Sequence, residues 1–138
     1  AECSLSTGYI LTFFCFARLI TRFPPATRVQ IIKDATKHLK NVEVVCYTDL
    51  TIDLCRNLGI NFIVRGLRTT TDFELESVIA QANKKMAPDV NTIFIPACQE
   101  YSFISSTVVR DVLVHGGDAK MFIPQGVDIK KYLTAVSI

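Results

Sequence analysis

The 138-residue sequence lacks a long uninterrupted apolar segment, a C-x-x-C pair, an excess of one charge and a Gly/Ser-rich linker. Each absence removes a class of protein. The longest apolar run, YILTFFCFA at Tyr9 to Ala17, falls short of the ~20 residues a membrane-spanning helix needs. It has the length of a signal-peptide core, but Glu2 precedes it, no basic segment does, and Arg18 follows directly. It reads as a buried strand, with no membrane partner. The five cysteines, Cys3, Cys15, Cys46, Cys55 and Cys98, form an odd set. That speaks against a disulfide framework or structural zinc and for a reducing cytoplasm, with most thiols free and buried. Fifteen basic against thirteen acidic residues leave a net charge of +2, so nothing calls for nucleic acid or an anionic surface. Any anion site must be local.

What remains is an ordinary globular composition, 49% apolar and 20% charged, in a chain long enough for one core and too short for two. Residues 1–138 are read as one domain. After Pro24-Pro25, Val29, Ile32, Ala35 and Leu39 recur at helical spacing, predicting a helix from Arg28 to Leu39. VEVVC (Val42 to Cys46) reads as a strand, DLTIDLCRNLG as a short helix capped by Gly59, and NFIV (Asn61 to Val64) as a second strand. A strong helix is expected from Asp72, with acids in its first turn and Lys84 and Lys85 near its end, as the helix dipole favours. NTIFI (Asn91 to Ile95) is a third strand, followed by a loop to Ile104. A helix from Ser105 or Ser106 to Gly116, then an amphipathic tail from Ile129 to Val136, complete the chain. Strands alternating with helices imply a parallel α/β sheet, with ligands outside the carboxyl ends of its strands.

Two of those ends carry chemistry. After Val64 come Arg65, Gly66, Leu67 and Arg68. Guanidinium groups fork onto phosphate oxygens, glycine admits close approach to backbone, and the next helix offers its N-terminal N–H groups. The same arginines could equally pair with the acids just downstream. After Ile95 the loop ends in YSFISST. Hydroxyls at a helix start are first of all caps, yet Ser105, Ser106 and Thr107 exceed what one cap requires. They would suit a polyphosphate, with Arg110 one turn on.

RGLRTTTDFELE together with FISSTVVRDV resembles phosphopantetheine adenylyltransferases, from about Phe23 to Tyr132. The I-S-S-T-x-x-R pattern is similar across the wider nucleotidyltransferase superfamily, and R-G-L-R-x-x-x-D-F-E points to the pantetheine branch. The resemblance implies a Rossmann-like doubly wound sheet and adenylyl transfer from ATP to 4′-phosphopantetheine, giving dephospho-coenzyme A (dephospho-CoA) and pyrophosphate. It implies that Arg65 meets the acceptor phosphate, and that Thr51, Leu50, Ile79 and Asn83 shape the pantetheine pocket. Gly66, Leu67, Arg68 and Glu76 would face ATP, with Tyr101, Ser102, Phe103, Ile104, Ser105, Ser106 and Thr107 wrapped around the nucleotide. It further implies magnesium, a cytoplasmic homohexamer and coenzyme A (CoA) as inhibitor.

The chain also departs from that pattern. The resemblance implies a first strand running into G-x-F-D-P-x-x-x-G-H, which supplies a threonine and a histidine, and no such motif occurs. The histidines are His38 and His115, and both read as surface or cap residues. No catalytic residue is therefore identifiable. Residues 1–22 are atypical as well: ARLITRFPP stands where a lysine-bearing loop is implied, as a truncated or frame-shifted start would produce. The first strand and helix are expected to be missing or altered, leaving apolar edges in the sheet. The rival readings are a non-catalytic nucleotide- or CoA-binding module, and a nucleotidyltransferase with another acceptor.

Overall fold

The computed structural model describes residues 2–7, 10–13 and 23–133. Among them, β1 (Glu2–Thr7), β2 (Ile10–Phe13), β3 (Glu43–Tyr47), β4 (Phe62–Leu67) and β5 (Asn91–Pro96) form one sheet in the order β3-β1-β2-β4-β5. β2, β4 and β5 pair in parallel, while β1 is antiparallel to both β2 and β3. It follows that β3 points the same way as β2, β4 and β5, and only β1 runs against them. The carboxyl ends of β3, β4 and β5 thus share one edge of an α/β sheet, as expected from the sequence.

The N-terminal segment is where the sheet differs from expectation. β1 was not foreseen, because ECSLST has neither a continuous apolar run nor an aromatic residue, and Thr7 is its one β-branched residue. β2 lies inside the YILTFFCFA run; residues 14–17, Arg18 and Arg22 lie outside the described residues. Together β1 and β2 stand between β3 and β4, so the middle of the sheet is filled by ladder hydrogen bonds instead of left as two open edges.

Among the described residues, three helices connect the strands and a fourth follows β5. α1 (Pro25–Thr36) starts three residues earlier than the apolar spacing suggested, with Pro25 in the first turn, where the missing N–H costs nothing. α2 (Thr51–Leu58) stops at Gly59, whose φ of 66° places it in the left-handed cap conformation the sequence called for. α3 (Thr70–Met86) is capped by Thr69, whose hydroxyl accepts from the Asp72 N–H at 3.1 Å. Arg56 closes its far end by donating to the Met86 carbonyl at 2.6 Å. α4 (Ser106–Val114) follows a 3-10 turn at Gln99–Tyr101. α5 (Lys130–Leu133) covers the start of the expected tail, whose remainder lies outside the described residues. No described helix is long and apolar enough to cross a membrane.

The core under the site joins α2, β4 and the end of α3 through Ile52, Cys55, Ile60, Ile63, Ala87 and Val90. Cys55 is fully buried, and burial raises its thiol pKa to about 11, matching the inert thiol expected from sequence. Cys46 and Cys98 are exposed instead. A second cluster of Phe23, Ile31, Ile129 and Tyr132 packs α1 against α5.

Candidate functional site: a pocket between β4 and α3

β4 runs further than its apolar letters suggested. Arg65, Gly66 and Leu67 belong to the strand, opposite Phe94, Ile95 and Pro96, and the Ala97 N–H extends the ladder to the Leu67 carbonyl at 2.7 Å. The expectation of a loop from Arg65 onward is corrected accordingly: ladder pairing with β5 overrides the breaker signal of a lone glycine. Gly66 does not adopt a left-handed backbone, and a Cβ built there meets nothing within 4 Å among the described residues. Its smallness therefore answers no demand of the fold.

Strand alternation then decides what Arg65 sees. Residues two apart share a face, so Arg65 stands beside the buried Ile63. On β5, Thr92 lies opposite Ile63 and Phe94 opposite Arg65. α3 covers this face, with Phe73 meeting Phe94 edge-on at 5.7 Å between ring centroids. Glu76, Ile79, Ala80 and Asn83 fall at i, i+3, i+4 and i+7 of α3, a single helical stripe. Thr51, at the start of α2, is held 3.2 Å from the Tyr47 hydroxyl.

These residues enclose a pocket of about 140 Å³, lined by Thr51, Ile63, Arg65, Glu76, Ile79, Ala80, Asn83 and Thr92. That is below the ~300–1,000 Å³ of pockets enclosing a whole small ligand, so it suits one group of a longer molecule. Arg65 is held here by Glu76: Nε donates to Oε2 at 2.7 Å and Nη2 donates to Oε1. Side-chain exposures of 27% and 13% set this pair apart from an ordinary surface ion pair. Of the sequence-derived residues, Thr51, Arg65, Glu76, Ile79 and Asn83 come together. Leu50 does not join them; it precedes α2 and is 58% exposed. Ile63, Ala80 and Thr92 were not singled out from the sequence. The α3 stripe would have yielded Ala80, whereas Thr92 needed the register between β4 and β5.

A second cluster lies at the ends of β4 and β5. Arg68 donates from Nε to Asp72 Oδ2 at 3.1 Å and from Nη1 to the Ile104 carbonyl at 3.2 Å. Burial works against the Asp72 charge, but hydrogen bonds from the Arg68 side chain and backbone outweigh it and hold the carboxyl below its ordinary pKa. Asp72 is thus an ion-pair partner, and Thr69 is the cap. Beyond Ile104, Ser105 caps α4 by accepting from the Val108 N–H at 3.3 Å, and Ser106 opens the helix; its side chain is not among those described. Ser102 donates to the Gln99 carbonyl at 2.9 Å. Thr107, Tyr101 and Phe103 are exposed, the two rings by 58% and 56%.

The residues 20–112 match the cytidylyltransferase-like family, and that span contains both clusters. The chain belongs to the cytidylyltransferase-like family. It is also similar to the phosphopantetheine adenylyltransferase of Lachnoclostridium phytofermentans, with 39% identity over 105 residues, covering 76% of this chain and 64% of that protein. The chain thus spans just under two thirds of the relative's length.

For a cytidylyltransferase-like chain, two features of the site stand out. His115 closes α4, its Nδ1 2.8 Å from the Asp111 carbonyl and its side chain 74% exposed, and His38 is exposed just past α1. Both sit as the sequence suggested. Among the described residues no group of three His, Cys, Asp or Glu gathers as a metal site. The hydroxyls and guanidinium groups at the second cluster are of the kind that pairs with phosphate oxygens.

Proposed function

We propose that this chain binds ATP at the Arg68–Ser105 cluster and 4′-phosphopantetheine at the Arg65 pocket. Its lineage reaction joins them into dephospho-CoA and pyrophosphate. The observation that carries this reading is the pocket itself, which gathers Thr51, Arg65, Ile79 and Asn83 from three separate elements. Those four are residues the resemblance assigns to the acceptor. The 39% identity to a protein named phosphopantetheine adenylyltransferase supports the same acceptor.

The chemistry needs no enzyme nucleophile. An acceptor phosphate oxygen attacks the α-phosphorus of ATP, the bond to the β-phosphate oxygen breaks, and pyrophosphate leaves. The protein contributes alignment and charge stabilisation. Arg65 would orient the acceptor phosphate through its guanidinium fork. Arg68, the α4 N-terminus and Ser105 to Thr107 would hold the triphosphate. Magnesium would arrive with the triphosphate and offset its charge. We further propose a homo-oligomer, hexameric by resemblance, in a cytoplasmic setting, with CoA competing for both sites.

The second reading is a non-catalytic nucleotide- or CoA-binding module with little or no turnover. Two measurements separate the readings. Isothermal titration with ATP and with 4′-phosphopantetheine should show both binding; if neither does, the site assignment fails. Pyrophosphate release above background then establishes transfer, and binding without release leaves the module.

A further inference from the structure

We propose that Glu76 is a positioning residue of the acceptor pocket, setting the preference for a phosphorylated over an unphosphorylated acceptor by holding the Arg65 guanidinium in place. This rests on the functional reading above, and it moves Glu76 from the nucleotide side, where resemblance puts it, to the acceptor side.

Three observations lead there. Both carboxylate oxygens of Glu76 accept from Arg65, through Nε and Nη2. Glu76 lines the same pocket as Thr51, Ile79 and Asn83, on one stripe of α3. Of the two partners Glu76 is the less exposed, at 13% against 27%, so helix packing fixes the carboxylate and the carboxylate fixes the longer side chain. Arginine is flexible, and a ligand that must immobilise it loses affinity; a carboxylate on the Nε–Nη2 edge makes that arrangement in advance. A phosphate would then be gripped through the Nη1–Nη2 edge. Both oxygens of Glu76 face Arg65, on the pocket side of α3.

Charge and geometry pull in opposite directions here, and two variants separate them. Glu76→Asp keeps the negative charge but withdraws it by one methylene, breaking the fork. Glu76→Gln keeps the reach and one acceptor while removing the charge. Each would be titrated with 4′-phosphopantetheine, with pantetheine lacking the phosphate, and with ATP.

We expect E76D to bind 4′-phosphopantetheine about tenfold more weakly, the loss of one well-aligned charged hydrogen bond. Pantetheine and ATP affinities should stay within threefold, roughly the scatter expected of a site left intact. E76Q should restore 4′-phosphopantetheine to within about threefold of wild type. Unchanged binding in E76D overturns the proposal, as does a loss confined to ATP. Tighter acceptor binding by both variants would make Glu76 a competitor for Arg65, and a common loss of all three ligands would make it a fold residue; either also overturns it. If wild type binds neither ATP nor 4′-phosphopantetheine, the functional reading fails and inorganic phosphate becomes the probe. The same pattern, weaker in E76D and retained in E76Q, is then expected.

Discussion

The Arg68 guanidinium donates to the Ile104 carbonyl at 3.2 Å across 36 residues of sequence. One side chain thereby ties the end of β4 to the loop that leads into α4. The two phosphate-suited stretches of the sequence are joined before any ligand arrives.

Arg68→Lys tests that tie. Lysine keeps the charge but loses the planar fork, so it cannot serve Asp72 and the Ile104 carbonyl together. ATP affinity is expected to fall about 10- to 100-fold, the worth of one or two charge-assisted hydrogen bonds. Stability should fall by only ~1 kcal/mol or less, because the pair is partly exposed. Titration with ATP beside a thermal melt checks both. Unchanged ATP affinity removes Arg68 from the nucleotide site.

Gly66→Ala offers a cleaner probe, since a Cβ there meets no described residue within 4 Å and the backbone is not left-handed. Alanine should leave the fold as stable or add ~0.5 kcal/mol by restricting the unfolded chain. A ligand lying against the strand would meet the new methyl group. ATP binding is expected to weaken about tenfold or more with no loss of melting temperature, a separation that a structural glycine would not give.

Local patterns explain most of what was legible. Gly59, the acids and lysines of α3, and the serine cap of α4 all act within a few residues, so their roles can be read without knowing the fold. Arg65 and Thr92 show the limit. Both matter because the β4–β5 register sets them into one face with α3 above, and that depends on residues some thirty positions apart. The hairpin of β1 and β2 was less legible still, since ECSLST is held in the sheet by its two neighbouring strands and not by its own propensity. Asp72 was ambiguous for a different reason. An acid near a helix start reads equally as cap or ion-pair partner until Thr69 and Arg68 are placed around it.

α3 carries a second stripe that no described residue covers. Leu75, Val78 and Met86 are 63%, 64% and 47% exposed, and they recur at helical spacing. A second copy of the chain is the occupant the proposed homo-oligomer supplies. Replacing Leu75 and Val78 together by Glu should dissociate it, giving the mass of a 15.4 kDa chain by light scattering where wild type gives a multiple. Each monomer should remain folded, because neither side chain is buried within it. A wild-type monomer at micromolar concentration would remove the oligomer from the proposal.

The Tyr132 hydroxyl donates to Asp34, clasping α5 onto α1. Asp34 is held below its ordinary pKa, chiefly by this bond and next by Gln30, which donates at 3.0 Å. A carboxyl whose folded pKa is depressed contributes stability above its unfolded pKa, and that contribution is lost as pH falls through the folded value. Tyr132 titrates the other way: burial, then the Asp34 bond, raises its pKa to about 12. Its contribution is complete below its unfolded pKa of about 10 and is lost as pH rises through about 12. Tyr132→Phe keeps the ring in its cluster with Phe23, Ile31 and Ile129, so no cavity opens. At pH 7 it should cost ~1 kcal/mol, at the low end for a bond to a charged group because Asp34 is largely solvated. The difference should start to shrink as pH falls below the unfolded carboxyl pKa of about 4, vanish only as pH passes below the lower folded pKa of Asp34, and shrink again as pH rises through about 12. Urea unfolding of both proteins across that range is the check. A gap that stays constant down to pH 2 would place the effect in packing and not in the hydrogen bond.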